Sequence, residues 1–213
     1  MRGDAQMIGD HLYIGIPDCD VAFLLPAKVA SSSIKRVIRA AMNAPPPPDL
    51  LEYLTASEAI TREHRIAFVR EPLDRLASCW ADKFVLRRRA GREILPDLSA
   101  MGMSYDTSFS DFVRRVAQIP DEEAWGDAKH FRSQSFDLTC RGQWMPTFLG
   151  RFESLAESWN QARTLIRDLG GPRLPKLGHL RKTDRGGVEW TSDLERLARQ
   201  RYARDIEQLG YSC

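Results

Sequence analysis

A lysine and a run of three serines follow an apolar stretch near the N-terminal end of the sequence. Residues 21–25, VAFLL, are typical of a buried strand, and residues 31–41 carry apolar side chains at helical spacing. The connecting segment PAKVASSS holds Lys28 among small residues. Small side chains let backbone N–H groups approach a phosphate, and a helix N-terminus adds a partial positive charge. The segment predicts either a phosphate-binding loop centred on Lys28 or a serine-capped helix beside an exposed lysine.

The order of residues in this segment differs from that of the common nucleotide-binding loop. The pattern GxxxxGK[ST] is absent, and Lys28 precedes the small residues, whereas the lysine of that pattern follows its glycines. Ordinary ATP or GTP hydrolysis is therefore not the chemistry that this loop favours.

A second group of anion-binding side chains follows the apolar run IAFV. Arg70 comes directly after this run, and Ser78 lies further along the helical segment EPLDRLASCW. A guanidinium binds phosphate oxygens in a bidentate manner, and a serine hydroxyl donates one more hydrogen bond. In the alternative interpretation, Arg75 pairs with Asp74 or Glu71 and the serine has no role beyond the helix.

These two groups follow two strands of a predicted α/β fold. Apolar runs alternate with helical segments, which favours a central, mainly parallel sheet, and such sheets bind ligands at the carboxyl ends of their strands. We predict a single domain over residues 1–213, with a substrate-facing insertion around 85–126 where Gly and Pro interrupt the pattern. Residues 50–60 are predicted to be helical. The last helix is predicted to begin with a capping box formed by Ser192 and Glu195.

The bulk composition sets limits on function. The net charge is only +2, so it does not indicate a nucleic-acid partner. The four cysteines have no metal-binding spacing, and we predict no metal. The N-terminus lacks an apolar signal region, and no run approaches the roughly 18 apolar residues of a membrane span. The sequence therefore predicts a soluble cytoplasmic protein with no integral membrane segment, and it leaves the oligomeric state open.

The two groups together resemble the sulfotransferases that use 3′-phosphoadenosine-5′-phosphosulfate (PAPS), and most of all their carbohydrate (chondroitin/heparan-type) branch. AKVASSSIKRVI is similar to the 5′-phosphosulfate loop of that family, with Ala27 where the family usually has proline. VREPLDRLAS is similar to its 3′-phosphate motif. The segments HFRSQSFDLTC, LGRFESLAESW and RYARDIEQLGY are weaker matches to later family segments.

The resemblance implies a P-loop-like three-layer α/β fold with helices flanking a central, mainly parallel sheet. It also implies transfer of a sulfuryl group from PAPS to an acceptor hydroxyl by in-line displacement, with 3′,5′-ADP (PAP) as the product and no metal. The acceptor it implies is a carbohydrate; a lipid, a small phenol or a peptide tyrosine are the alternatives. Lys28 and His130 are the implied catalytic residues, and Glu58 and Asp106 are alternative bases. The implied donor-binding residues are Lys28, Val29, Ala30, Ser31, Ser32, Ser33, Arg70, Ser78, Arg181 and Lys182.

Two other functions remain open at the level of sequence. One is a phosphotransferase or kinase with an unusual P-loop. The other is a non-catalytic module that binds an anionic glycan, because residues 62–92 carry nine Lys or Arg against four Asp or Glu.

Overall fold

The computed structural model describes residues 12–16, 18–42, 51–178 and 187–212. The predicted loop residues Arg181 and Lys182 lie outside these ranges. The chain divides into two compact units: the first comprises residues 1–70 and 137–180, and the second comprises residues 71–136 and 181–213. Whether the chain folds as the single domain that the sequence predicts stays a prediction.

The described helices and strands alternate along much of the chain. The strands are β1 (Tyr13–Ile16), β2 (Val21–Leu24), β3 (Glu52–Leu54), β4 (His64–Val69), β5 (Thr139–Cys140), β6 (Gln143–Trp144) and β7 (Phe148–Arg151). The helices are α1 (Ser31–Ala41), α2 (Ala56–Ala59), α3 (Pro72–Trp80), α4 (Arg87–Arg89), α5 (Pro96–Ala100), α6 (Phe109–Val116), α7 (Gln134–Asp137), α8 (Leu155–Asp168), α9 (Ser192–Arg201) and α10 (Ala203–Gln208). A π-helical segment, Ala81–Leu86, joins α3 to α4.

The first unit is built on a five-stranded sheet with the order β3-β1-β2-β4-β7. Strands β2, β4 and β7 are parallel, with Phe23 opposite Ile66 and Val69 opposite Arg151. Strand β1 is antiparallel to both of its neighbours. The predicted α/β class with a central, mainly parallel sheet is thus confirmed for the described residues.

Helices α1 and α8 pack against this sheet through one apolar core. Phe23, Phe68 and Trp159 form its aromatic centre, with ring centroids 5.9 to 6.4 Å apart. Gly150 of β7 lies against this centre, and a Cβ atom there would come within 2.7 Å of the Phe68 ring. The absence of a side chain at this position therefore lets the aromatic rings fill the space above the sheet.

The second unit is mainly helical and has a core of its own. Trp80 and Phe84, on α3 and the π-helical segment, stack with centroids 4.6 Å apart. Phe112 of α6 and the buried Tyr202, between α9 and α10, belong to the same apolar cluster. No helix within the described ranges is long and apolar enough to cross a bilayer.

Two helix predictions are wrong in detail. Residues 52–54 form the edge strand β3, paired with β1, and a capping box of Thr55 and Glu58 starts the short α2. The first residues of the predicted helix are thus drawn into the sheet, where strand pairing overrides their helical spacing. At the last helix, Thr191 rather than Ser192 is the N-cap, and it accepts a hydrogen bond from the N–H of Leu194.

Candidate functional site

The loop after β2 has an unusual backbone conformation. Lys28 and Ala30 have φ angles of 72° and 65°, in the left-handed region that residues with a Cβ rarely adopt. Each such residue costs about 1–2 kcal/mol. Val29 between them is fully buried in the apolar core and anchors the loop. Turns that place residues in the left-handed region direct successive N–H groups into an anion-binding concavity, and strain of this kind clusters at functional sites.

The start of α1 directly follows this loop. Ala30 is the N-cap residue, and no side chain within the described ranges makes a capping hydrogen bond there. The first-turn amide of Ser33 donates to the carbonyl of Ala30 at 2.9 Å. The N–H groups of Ser31 and Ser32 come before this bond, at positions that have no acceptor inside a helix. The serine-capped alternative is therefore wrong, and the 11-residue helix presents its N-terminal amides toward the loop.

Arg70 reaches this loop from the end of β4. Its side chain is buried, with 6% exposed, and its Nη1 atom lies 3.4 Å from the carbonyl oxygen of Lys28. Its guanidinium carbon lies 4.2 Å from the ring centroid of Phe152, the residue that follows β7. The structure thus brings together two predicted site residues that are 42 positions apart in the chain.

Ser78 and His130 belong to the second unit. Ser78 is a buried residue of α3, whose N-cap Glu71 accepts a hydrogen bond from the amide of Asp74 at 2.6 Å. His130 is half-buried, and its Nδ1 atom lies 2.8 Å from the carbonyl oxygen of Asp127. Because a carbonyl oxygen only accepts, Nδ1 carries the proton and Nε2 is the basic nitrogen of the neutral ring.

The segment after His130 is held by three buried side chains of the second unit. Arg75 Nη2 donates to the carbonyl of Arg132 at 2.7 Å, and the Tyr202 hydroxyl donates to that of Phe131 at 2.6 Å. The Asp205 carboxylate accepts from the amides of Gln134 and Ser135 at 2.9 and 2.7 Å. The sequence identifies HFRSQSFDLTC and RYARDIEQLGY as separate segments and does not predict that they contact each other. The Tyr-x-x-Asp spacing at Tyr202 was the one signal in the sequence that could have pointed to this contact.

An ion pair between Asp121 and Arg201 also contacts the segment after His130. Asp121 accepts hydrogen bonds from Arg201 and from the amide of Ser133. Burial alone would raise the pKa of the Asp121 carboxyl, but the hydrogen bond and charge of Arg201, with the bonds from Ser133, outweigh burial and lower it. Asp121 is thus ionised at neutral pH and tied to the C-terminal helices.

The alternative bases have ordinary structural roles or open surroundings. The Glu58 carboxylate accepts from the backbone and the hydroxyl of Thr55, and the backbone bond is the main reason that the pKa of Glu58 is lowered. A lowered pKa makes a carboxylate a weaker base. Asp106 is an exposed loop residue whose amide donates to the Ser104 hydroxyl at 3.2 Å.

The arginines of the predicted insertion bind their own loop. Arg87 Nη2 donates to the carbonyl of Glu93 at 2.8 Å, and Arg88 Nη1 donates to the carbonyl of Tyr105 at 3.0 Å. Among the described residues, no group of three or more His, Cys, Asp or Glu side chains is arranged to hold a metal ion.

Comparison with known proteins identifies the family of the chain. No curated protein and no solved structure matches the chain. A family model described as "Sulfotransferase family" matches residues 13–212. The match includes the Lys28 loop, Arg70, the segment that begins at His130 and the C-terminal helices. Because it covers almost the whole length, the chain belongs to the sulfotransferase family.

Proposed function

We propose that this sulfotransferase takes its sulfuryl group from PAPS and transfers it to a carbohydrate hydroxyl. The observation that carries the proposal is the loop after β2, where Lys28 and Ala30 adopt the left-handed conformation and, within the described ranges, no side chain caps the start of α1. The contact of this loop with the buried Arg70 supports PAPS as the donor. The carbohydrate acceptor and the P-loop-like three-layer arrangement rest on the resemblance of both sequence motifs to the carbohydrate branch.

The loop would hold the 5′-phosphosulfate end of the donor. In this proposal, the backbone N–H groups of residues 29–33 and the hydroxyls of Ser31, Ser32 and Ser33 bind the 5′-phosphate. The ammonium group of Lys28 neutralises charge on the bridging oxygen as the S–O bond breaks. Positive groups fixed before the reaction stabilise a developing negative charge without reorganising during it.

Arg70 and Ser78 are proposed to bind the 3′-phosphate. This phosphate distinguishes PAPS from ATP, so these residues would set the identity of the donor. A guanidinium suits the role because it offers several donors in one plane. Arg181 and Lys182 are proposed to add positive charge around the nucleotide.

His130 is the proposed general base. Its Nε2 atom would take the proton of the acceptor hydroxyl while the acceptor oxygen forms its bond to sulfur and the bond from sulfur to the phosphate oxygen breaks. The products are the sulfated acceptor and PAP, and the step requires no metal. Nδ1 donates to the Asp127 carbonyl, which fixes the tautomer that this role needs.

Nucleotide binding tests the donor assignment. Isothermal titration calorimetry should show that the protein binds 3′,5′-ADP much more tightly than 5′-AMP. The substitution Arg70→Ala should remove most of this difference. Equal binding of the two nucleotides by the wild-type protein would contradict the proposal and favour a phosphotransferase. Binding of neither would favour the non-catalytic glycan-binding module.

A further inference from the structure

We propose that Phe152 is a positioning residue that gives the site its selectivity for a 3′-phosphate, by fixing the plane of the Arg70 guanidinium. This inference rests on the proposed function, because it assumes that Arg70 binds that phosphate. Neither the sequence motifs nor the family match assigns a role to this aromatic side chain.

The sheet places Phe152 beside Arg70. Strands β4 and β7 are parallel neighbours with Val69 opposite Arg151, so the residues that follow them leave the same edge of the sheet side by side. The ladder continues for one more bond, because the amide of Phe152 donates to the carbonyl of Val69 at 2.8 Å. The backbone on both sides of the contact is therefore held by strand pairing.

The guanidinium lies over the aromatic face. The 4.2 Å between the Arg70 guanidinium carbon and the Phe152 ring centroid is well within the range of a cation–π contact. Arg70 is buried, and Phe152 is half-buried against the core of the first unit. Partial removal from water strengthens such a contact. The aromatic ring is therefore a fixed platform rather than a chance surface neighbour.

The Phe152 ring and the Lys28 carbonyl contact different parts of the Arg70 guanidinium. The ring centroid lies 4.2 Å from the guanidinium carbon, whereas the carbonyl oxygen lies 3.4 Å from the Nη1 atom at the end of the group. A guanidinium directs its five N–H donors in its own plane. The ring contact at the guanidinium carbon, together with the bond at Nη1, thus limits the orientations of the group and so of its donors.

An oriented guanidinium increases the affinity for a ligand whose phosphate binds to it. Fixing a side chain before binding reduces the entropy that the ligand must overcome, but only for ligands that contact that side chain. 5′-AMP lacks the 3′-phosphate, so it gains nothing from the orientation that the ring gives to the Arg70 donors. Phe152 should therefore change the ratio of the two affinities and not the binding of 5′-AMP.

Calorimetric titration of the full chain with 3′,5′-ADP and 5′-AMP tests this role. Phe152→Leu and Phe152→Met remove the ring with little change in volume, and Phe152→Tyr keeps it. Phe148→Leu is the matched control, because Phe148 begins β7, the strand that Phe152 follows, and is also half-buried against the core. Two ringless variants keep the test informative if one of them does not fold, and circular dichroism checks folding.

We expect the ringless variants to bind 3′,5′-ADP about 5- to 30-fold more weakly, the loss that corresponds to one cation–π contact, with 5′-AMP affinity unchanged. Phe152→Tyr and Phe148→Leu should keep the wild-type ratio. An unchanged ratio in both ringless variants, or an equal loss for both nucleotides, would overturn the inference. If the wild-type protein itself does not discriminate, the donor assignment fails instead, so the two failures are distinguishable.

Discussion

The Nη1 atom of Arg70 lies 3.4 Å from the carbonyl oxygen of Lys28, across two adjacent parallel strands. The residue proposed to bind the 3′-phosphate thus contacts the backbone of the loop proposed to bind the 5′-phosphate. Because the Lys28 carbonyl belongs to a strained peptide segment, its contact with a buried arginine helps to hold the loop in its unusual conformation. The conformation of the Lys28 loop and the position of the Arg70 side chain therefore depend on each other.

Arg70→Lys should show this dependence. Lysine keeps the positive charge but lacks the planar fork that stacks on a ring and pairs with a phosphate. We expect 3′,5′-ADP to bind at least about 10-fold more weakly, the cost of roughly one charge-assisted hydrogen bond. Binding of 5′-AMP should also weaken, by a smaller factor, because the loop loses its contact at the Lys28 carbonyl. Calorimetry on both nucleotides measures the two effects. Unchanged 5′-AMP binding would show that the loop keeps its conformation without Arg70.

The left-handed conformation of Ala30 predicts opposite effects for two substitutions. Ala30→Gly should leave nucleotide binding intact, because glycine adopts a φ of 65° without steric cost. Ala30→Val should lower the free energy of unfolding by more than about 1 kcal/mol and weaken 5′-AMP binding, because a β-branched residue is strained there. Urea denaturation and calorimetry measure these changes.

Ala40→Val is the matched control for this pair. Ala40 is an exposed residue of the same helix, so the same substitution should cost only a few tenths of a kcal/mol and leave binding unchanged. If Ala30→Val and Ala40→Val had the same effect, the loop conformation would have no functional consequence.

His130→Gln tests the base. Glutamine retains hydrogen-bonding groups but does not accept a proton at neutral pH. We expect kcat to fall by about 10²- to 10⁴-fold, the usual contribution of general base catalysis, with 3′,5′-ADP affinity unchanged. Steady-state kinetics with labelled PAPS gives kcat, and Glu58→Gln is the comparison for the alternative base. A larger loss of kcat in Glu58→Gln than in His130→Gln would reassign the base.

The buried hydrogen bond of Tyr202 should contribute to stability. Tyr202→Phe leaves the carbonyl of Phe131 without its 2.6 Å donor, and we expect a loss of about 1–3 kcal/mol in the free energy of unfolding. Tyr105→Phe removes an equally short bond, to the Arg92 carbonyl, but this bond is exposed and water can replace it. That control should cost less than about 0.5 kcal/mol. Equal losses in urea denaturation would mean that burial of the Tyr202 bond is irrelevant.

The Asp121–Arg201 pair predicts a dependence of stability on acid. The pKa of the Asp121 carboxyl is lowered in the folded chain, so its contribution is complete above the pKa of the unfolded state, near 4. It is lost as the pH falls through the folded-state value. We expect Asp121→Asn to be less stable than wild type at pH 7 and to show a smaller further loss between about pH 5 and pH 2. Asp193→Asn, in the exposed pair with Arg196, should follow the wild-type curve in urea denaturation. If the free energy of unfolding of wild type and of Asp121→Asn changed with pH in the same way, this role of Asp121 would be contradicted.

The sequence predicted local elements well and long-range contacts poorly. The strands at 21–24 and 64–69 are visible in the sequence as the short apolar runs VAFLL and IAFV. The position of Phe152 against Arg70 was not predictable, because it depends on β7 pairing with a strand about 80 positions earlier. That pairing is set by packing of the whole sheet rather than by local spacing.

The site shows the same division. Lys28 and Arg70 were recognised because each follows an apolar strand, and parallel strands end at one edge of a sheet. The roles of Tyr202 and Asp205 were missed because their partners are backbone groups of a distant segment. Every residue other than proline has the same backbone N–H and C=O groups, so the sequence does not show which of them a distant side chain contacts.

Transfer of labelled sulfuryl from PAPS is the most direct test of the central claim. The full-length protein is incubated with radiolabelled PAPS and a panel of carbohydrate, lipid, phenol and tyrosine-peptide acceptors, with Lys28→Ala alongside. We predict that the label passes to a carbohydrate hydroxyl and that Lys28→Ala, folded by circular dichroism, loses at least about 10²-fold in rate, as expected for removal of one charge-stabilising group. Equal transfer by the wild-type protein and Lys28→Ala would contradict the account.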